Sequence, residues 1–332
     1  MSTIAVLGAG SYGTALAIQL ARLGNDTRLW GRDAAQMAKL EAERANAEYL
    51  PGCKFPPSLR PVSDLRAAVA HAEDVLLAVP SHALHAVLRT VAPLLKPGQG
   101  IVSAVKGLEP DTGKLVHEVV EDIVGKGRKL AVISGPTFAK EVGLGMPTAV
   151  TVASADPDYA EKIVLALHGN GFRAYTSDDV IGVEVGGSVK NVLAIAVGIA
   201  DGLGLGANTR AGVITRGLAE IMRLGEAMGG RRETFMGLAG LGDLVLTCTD
   251  DQSRNRRMGL ALAKGLSVSQ AVAEIRQVVE GVRAAPEVMR LARKHGVDMP
   301  ISEQVVKVLT GEITAVDAVR SLATRPPRAE AG

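Results

Sequence analysis

IAVLGAGSYG, residues 4–13, is the stretch of the sequence that decides the fold. An apolar run typical of a buried strand leads straight into a G-x-G-x-x-G loop, and residues 14–21 continue with small and apolar side chains at helical spacing. A strand, a glycine loop and a helix in this order form the phosphate-binding unit of Rossmann domains. The context therefore favours dinucleotide binding over the alternative, a plain glycine turn.

Each glycine of the loop has its own expected task. Gly8 would permit the tight turn, Gly10 would let a pyrophosphate approach the backbone, and Gly13 would allow close contact between helix and strand. Ser11 and Tyr12 belong to the loop, and the first N–H groups and partial positive charge of the helix that follows suit a phosphate. We expect these five residues to bind the cofactor.

The second predicted strand ends in Arg32 and Asp33, where a dinucleotide site reads the adenosine ribose. A guanidinium there can hold the 2′-phosphate of NADP, whereas a carboxylate would bind the ribose hydroxyls of NAD. Arg32 comes first, so we predict a cofactor site for NADP or NAD that includes Arg32. The alternative is an arginine on a solvated loop.

The pattern of apolar runs divides the chain into two parts. Up to about residue 180, short runs rich in Val, Ile and Leu alternate with helical stretches, which favours a buried and mostly parallel sheet. Later windows carry helical spacing with few strand signals. We predict an α/β fold with a Rossmann-type, doubly wound domain over 1–185 and an all-α domain over 186–332. The predicted strands are residues 4–8, 27–30, 75–79, 101–104, 130–134 and 149–153.

Composition excludes several classes of protein. The 37 basic and 35 acidic residues nearly balance, and aromatic residues make up only 3%, so we expect no nucleic-acid partner. Cys53 and Cys248 stand alone, which predicts neither a disulfide framework nor a zinc site. The first strand begins near residue 4 and leaves no room for a signal segment, so a cytoplasmic protein is expected. The most apolar stretch, 189–200, is short and predicts no membrane insertion.

Other chemical motifs are missing. The stretch 107–115 resembles a Walker loop but has one residue too many and lacks the final Ser or Thr, so we expect a turn before a helix. His82 and His85 lack carboxylates nearby in sequence, and no HExxH occurs. We therefore expect no metal site.

Lys190 stands out because it lies in an apolar run. An unpaired ammonium in a low-dielectric environment is costly, so a lysine there is either buried with partners or serves chemistry. The alternative is a lysine at a helix start whose ammonium reaches solvent. The residues alone leave both interpretations open.

The segment GSVKNVLAIAVGIADGLGLGAN, residues 187–208, resembles the signature of the NAD(P)-dependent glycerol-3-phosphate dehydrogenases of bacterial type. The chain has Ser188 where the family pattern has Ala or Thr, a small-for-small exchange. Further motifs follow in order along nearly the whole chain, at residues 105–107, 134–139, 240–244, 253–255 and 279–281.

The resemblance implies reduction of dihydroxyacetone phosphate to sn-glycerol 3-phosphate, a reaction that would feed glycerophospholipid synthesis. It assigns Lys190 as the acid and base, with Lys106 supporting it electrostatically and contacting both substrate and cofactor. Burial and the second lysine should lower the pKa of one ammonium.

The resemblance also assigns the remaining contacts. Ser253, Arg254 and Asn255 look like a capped helix start that offers N–H groups, a guanidinium and an amide to the substrate phosphate. An ordinary Ser-capped basic helix is the alternative for that motif, a helix-capping carboxylate for Asp243, and a surface charge for Glu280. The family pattern places Gly135, Thr137 and Asp243 near the substrate, and Ala139, Arg254, Val278 and Glu280 near the cofactor.

The sequence leaves two alternative functions open. One is another reductase that joins a Rossmann domain to an all-α domain, such as a ketopantoate reductase. The other is a dinucleotide-binding sensor without turnover, since fold alone does not establish function. The phosphate motif argues against the first, and the two lysines argue against the second. A homodimer is the default expectation for the assembly.

Overall fold

The structure is a computed structural model that describes residues 1–326 and residue 329. The last residues of the predicted second domain, 327, 328 and 330–332, lie outside this description. Within the described range, a sheet flanked by helices is followed by a wholly helical part, which confirms the predicted fold class.

The sheet contains eight strands in the order β3-β2-β1-β4-β5-β6-β7-β8. Neighbouring strands run parallel except β6 and β7, which pair antiparallel. The six predicted strands are confirmed, and two strands at the edges of the sheet, β3 and β8, were not predicted. The bounds are β1 Thr3–Leu7, β2 Asp26–Trp30, β3 Leu59–Val62, β4 Asp74–Leu77, β5 Gly100–Ser103, β6 Leu130–Ser134, β7 Thr148–Ala153 and β8 Phe172–Ser177.

Helices cover both faces of the sheet because successive side chains of each strand point to opposite faces. In β1, Ile4 and Val6 pack with one helical layer, while Ala5 and Leu7 pack with the other. Both faces are therefore buried, as a doubly wound sheet requires. The helices of this part are α1 Ser11–Arg22, α2 Ala34–Glu43, α3 Leu65–His71, α4 Leu84–Val91, α5 Val116–Val124, α6 Ala139–Leu144 and α7 Pro157–Leu167.

The second part is built around one long helix, α8, which spans Val180–Gly202. It runs across residue 185, and α9, α11, α12, α14 and α15 pack on it. The glycine-rich stretch Leu238–Gly242, which resembles a flexible connector in the sequence, is a short π-helix. The remaining helices are α9 Gly206–Ala227, α10 Arg232–Met236, α11 Asp243–Thr249, α12 Arg254–Ala263, α13 Val268–Ile275, α14 Glu280–His295, α15 Pro300–Leu309 and α16 Ala315–Ala323.

The expectation that the apolar stretch 189–200 is too short to span a bilayer is wrong, because this stretch is part of a longer apolar helix. The helix α8 has 23 residues and a mean hydropathy of 1.6 in its most apolar window, which meets the length and composition of a membrane span. It is continuous because Val180, Val183 and Val185 extend the apolar run toward the N-terminus. The fold buries 83% of that window, as in a core helix.

Two glycines set the distance between α8 and α12. A Cβ atom on Gly198 would lie 2.2 Å from the carbonyl oxygen of Arg256, and one on Gly259 would lie 2.1 Å from that of Ile195. Both distances are far below any real Cβ contact, so only glycine permits this crossing. The helix that begins at Arg254 is thereby held directly against the helix that carries Lys190.

Candidate functional site

The glycine loop has the geometry predicted for it. Gly8 adopts φ +122°, and a Cβ there would lie 2.6 Å from the carbonyl oxygen of Ala78. A Cβ on Gly13 would lie 2.0 Å from the carbonyl oxygen of Gly8, so this glycine brings helix and strand together. A Cβ on Gly10 would meet nothing within 4 Å. The loop thus leaves open space before the N-terminus of α1, as the predicted approach of a pyrophosphate requires.

At the end of β2, the two candidate ribose residues have different surroundings. The Asp33 carboxylate caps α2, accepting hydrogen bonds from the N–H groups of Ala35 at 2.9 Å and Gln36 at 3.1 Å. The Arg32 side chain is exposed. The carboxylate already has partners, which favours the guanidinium as the group available to a cofactor.

Lys106, Lys190 and Asp243 form a buried cluster where the two parts of the chain meet. Lys106 follows β5, Lys190 lies near the middle of α8, and Asp243 opens α11. Lys106 Nζ donates to Asp243 Oδ2 at 2.9 Å, and Lys190 Nζ pairs with the other oxygen, Oδ1. The side chains of Lys190 and Asp243 are only 7% and 2% exposed. The suggestion that Lys190 stands at a helix start is therefore wrong.

Further contacts orient the ammonium group of Lys106. Lys106 Nζ also donates to the carbonyl oxygen of Gly135 at 2.8 Å and to Thr137 Oγ1 at 3.2 Å. It lies 5.4 Å from the ring centroid of Tyr12, whose hydroxyl accepts from Thr137 at 3.1 Å. Tyr12 of the glycine loop and the predicted substrate residues Gly135 and Thr137 therefore meet at Lys106.

The two lysines titrate differently. Burial lowers the pKa of Lys190 to about 8, the positive charge of Lys106 adds to this effect, and Asp243 opposes it. Burial also disfavours the charged form of Lys106, but Asp243 outweighs it and raises the pKa of Lys106. Between the lysines, Asp243 stays ionised because both ammonium groups overcome its burial and lower its pKa. The expected lowered pKa thus belongs to Lys190, a value suited to proton transfer.

The phosphate motif begins α12 as predicted. Ser253 caps the helix by accepting from the Arg256 N–H at 3.2 Å. Within the described residues, no hydrogen bond holds the Arg254 guanidinium, and burial lowers its pKa. Asn255 is engaged inside the protein, since it donates to Asn191 Oδ1 at 2.8 Å and accepts from the Gly281 N–H at 2.9 Å. The Arg254 guanidinium interacts electrostatically with Glu280, and it is the group of this motif most available to a ligand.

The remaining predicted cofactor residues are Glu280, Val278 and Ala139. Glu280 begins α14 and is half-buried, accepting from the Ser81 hydroxyl at 2.6 Å. The alternative of Glu280 as a plain surface charge is therefore wrong. Val278 is half-buried just before α14, and Ala139 is the first residue of α6. Neither has a polar side chain whose contacts would indicate a role.

Sequence reasoning missed some residues of the site. Thr247 accepts from Lys190 Nζ at 3.0 Å, and its place one turn after Asp243 gave no signal of this. Glu184 is buried in the same apolar run as Lys190, so the argument applied to the lysine could have singled it out. His85 does have a carboxylate partner, Glu109 at 2.6 Å, 24 residues away in sequence. No cluster of metal-ligating side chains occurs among the described residues.

Comparisons with known proteins cover almost the whole chain. Residues 3–160 match the family described as NAD-dependent glycerol-3-phosphate dehydrogenase N-terminus, and residues 179–320 match the corresponding C-terminus. The chain is 56% identical over 327 residues to a protein of Xanthomonas euvesicatoria pv. vesicatoria named glycerol-3-phosphate dehydrogenase (NAD(P)+). That alignment covers 98% of this chain and 96% of the relative.

Solved structures show the same fold. A crystal structure of glycerol-3-phosphate dehydrogenase from Coxiella burnetii superposes with a TM-score of 0.94 at 47% identity, covering 98% of this chain and 99% of that chain. A ketopantoate reductase from Ralstonia eutropha superposes with a TM-score of 0.60 at 16% identity, covering 96% of this chain and 100% of the other. The second likeness extends to the fold alone.

Proposed function

The chain belongs to the NAD(P)-dependent glycerol-3-phosphate dehydrogenases, and on that premise we propose that Lys190 is the acid and base of the reaction. The enzyme reversibly reduces the ketone of dihydroxyacetone phosphate to sn-glycerol 3-phosphate. Bound NAD(P)H supplies the hydride that C2 of the substrate receives. Lys190 then stabilises the negative charge on the C2 oxygen as an ammonium and donates the proton that completes the alcohol.

Lys106 and Asp243 prepare Lys190 for this step. Asp243 holds both ammonium groups through its two carboxylate oxygens, which fixes their separation. Lys106 keeps its proton because its pKa is raised, so it acts on the substrate oxygen as a fixed positive charge. Lys190, with a pKa of about 8, is the lysine that can both lose and regain a proton near neutral pH.

The phosphate and cofactor contacts extend from the same cleft. We assign the substrate phosphate to Arg254 with Ser253 and Asn255, and the substrate itself to Gly135, Thr137 and the lysine cluster. The pyrophosphate of the cofactor fits the space before Gly10, with Ser11 and Tyr12 offering the first N–H groups of α1. The other cofactor contacts are Gly8, Gly13, Arg32, Lys106, Ala139, Arg254, Val278 and Glu280.

The observation that carries this proposal is the buried carboxylate shared by two ammonium groups of unequal pKa. Its test is the initial rate of NADPH and NADH oxidation with dihydroxyacetone phosphate, measured for the wild type and Lys190→Ala. Loss of the acid is expected to lower kcat on the order of 10³-fold. Wild-type turnover by Lys190→Ala would overturn the assignment of the acid and base.

A control separates chemistry from binding. The affinity for NADPH, measured by fluorescence titration, is expected to be the same in Lys190→Ala and the wild type, because Lys190 has no part in the glycine loop. A combined loss of turnover and cofactor affinity would contradict the assignment as well, since it would indicate a disrupted cleft.

We further propose a cellular setting for the activity. The product would feed glycerophospholipid synthesis, in the cytoplasm and without membrane insertion, since α8 serves as the core of the second part. We also propose the division into domains 1–185 and 186–332, with a homodimer as the assembly. Fractionation of expressing cells and light scattering of the purified protein test the location and the assembly.

A further inference from the structure

The segment that carries Lys106 is docked on the second part of the chain. This docked segment, residues 106–117, leaves the sheet after β5 and ends in the first turn of α5. Leu108 and Leu115 are 3% and 2% exposed and belong to the hydrophobic core built around α8. A stretch of the sheet domain therefore owes its packing to the helical domain.

Polar contacts hold the docked segment at both ends and in the middle. Asn191 of α8 donates to the carbonyl oxygen of Lys106 at 3.1 Å. Glu184 of the same helix accepts from the N–H and the Nδ1 of His117, at 2.9 and 2.5 Å. Between them, Glu287 of α14 accepts from the N–H of Asp111 at 3.1 Å.

The contact of Glu184 is the strongest of these because this buried carboxylate accepts from both the backbone N–H and the imidazole of His117. The Glu184 side chain is 2% exposed and that of His117 is 22% exposed. Burial raises the pKa of Glu184, and the carboxylate raises the pKa of His117 against the opposing effect of burial. A charge-assisted pair that also satisfies a backbone N–H is costly to break.

The face of α8 that forms hydrogen bonds with the docked segment also lies against the lysine cluster. Glu184, Gly187 and Asn191 follow one another at spacings of three and four residues, which places them on one face of a helix. A Cβ on Gly187 would lie 3.8 Å from Cγ of Lys106. Lys190 extends from the same two turns toward Asp243.

We infer that Glu184, acting through His117, is a positioning residue that sets Lys106 in place opposite Lys190. The helix α8 then carries Lys190, the acid of the reaction, and also holds the docked segment that bears Lys106. Lys190 is part of α8, and Lys106 is held against the same helix because its carbonyl oxygen accepts from Asn191. The inference rests on the proposed roles of Lys106 and Lys190.

Glu184→Ala is expected to release the C-terminal end of the docked segment and let Lys106 drift from Asp243. The groups around Lys190 are Asp243 and Cys248 of α11 and the ammonium of Lys106. Loss of the nearby positive charge should move the upper pH limit of dihydroxyacetone phosphate reduction upward by about 0.5 unit. The same change should lower kcat about tenfold, since small misplacements of charged groups are costly in catalysis.

The experiment compares four variants by their pH profiles, kcat and thermal midpoints. Glu184→Gln retains an acceptor for the His117 N–H and is expected to restore most of kcat. His117→Ala removes the side-chain contact with Glu184 but keeps the backbone contact, so we expect a smaller effect in the same direction. This variant keeps the test decisive if Glu184→Ala folds poorly. Glu220→Ala is the matched control, because Glu220 is a buried carboxylate that caps α15 through Ile301 and Ser302.

The expected result is a shifted pH limit in Glu184→Ala and His117→Ala, and a lowered thermal midpoint with an unchanged pH limit in Glu220→Ala. If all the alanine variants lose stability while their pH limits and kcat stay unchanged, Glu184 is merely structural and the inference is overturned. A Lys190→Ala enzyme with full turnover would instead refute the proposed function. An inactive Lys190→Ala beside a normal Glu184→Ala would refute the inference alone.

Discussion

The glycine loop and the lysine cluster, which we assign to the same reaction, are built in opposite ways. The loop is six consecutive residues, 8–13, and it works because side chains are absent: space is left open at Gly10 and close packing is allowed at Gly13. The cluster joins side chains as far as 137 residues apart in the chain. A binding site made of backbone is encoded locally, whereas a site made of charged side chains depends on the packing of both domains.

The largest effect on cofactor affinity is expected from a side chain added at Gly10, the open position of the loop. Gly10→Val should retain the fold, because nothing lies within 4 Å of the new Cβ, but it should fill the space for the pyrophosphate. Loss of about two charge-assisted hydrogen bonds corresponds to a rise in the Kd for NADPH on the order of 10²–10⁴-fold. Fluorescence titration measures this change.

Gly13→Ala provides the contrasting control for the loop. Its Cβ would lie 2.0 Å from a backbone oxygen, so helix and strand must separate. We expect a loss of about 1–3 kcal/mol in the free energy of unfolding. If Gly10→Val unfolds as readily as Gly13→Ala, the proposed division between binding space and packing contact is wrong.

A smaller effect is expected at Arg32, the one side chain that we assign to the ribose end of the cofactor site. Arg32→Gln should lower kcat/KM for NADPH about tenfold and leave that for NADH nearly unchanged, since only NADP offers a 2′-phosphate. Asp33→Asn is the comparison variant, because Asp33 already caps α2 and should affect stability instead. Equal losses with both cofactors in Arg32→Gln would contradict the assignment.

The mildest test uses pH on the unmodified enzyme. Reduction requires the Lys190 ammonium, so kcat/KM for dihydroxyacetone phosphate should fall as the pH rises through about 8. Oxidation of sn-glycerol 3-phosphate requires the neutral amine and should rise through the same pH. Initial rates in both directions measure the two limbs, and limbs of the same sign would exclude Lys190 as the titrating group.

The strands that the sequence predicts are those inside the sheet, which have neighbours on both sides. Central strands such as β1 and β4 read as continuous apolar runs, and they were recognised from that pattern. The edge strands β3 and β8 have neighbours on one side only, and their polar residues and Pro61 obscure the pattern. Burial, which makes a strand visible in sequence, is what edge strands lack.

The chemical partners in the site were harder to predict than its residues. Lys190 was singled out because a lysine in an apolar run must be explained, and family resemblance supplied Lys106 and Asp243. Asp243 binds both ammonium groups, and Glu184 pairs with His117. Both contacts depend on how helices pack across the boundary between the two parts of the chain. Spacing along the chain carries no information about such contacts.

The glycine crossing of α8 and α12 has a consequence for how this scaffold can change over evolutionary time. Because Gly198 and Gly259 each face backbone atoms of the opposite helix, neither can acquire a side chain unless both helices move apart. The close crossing therefore fixes the spacing between Lys190 on α8 and the start of α12, where we place the substrate phosphate. A substrate of a different length would therefore have to be accommodated by the loops around this pair of helices, since the helices cannot shift without losing their close crossing.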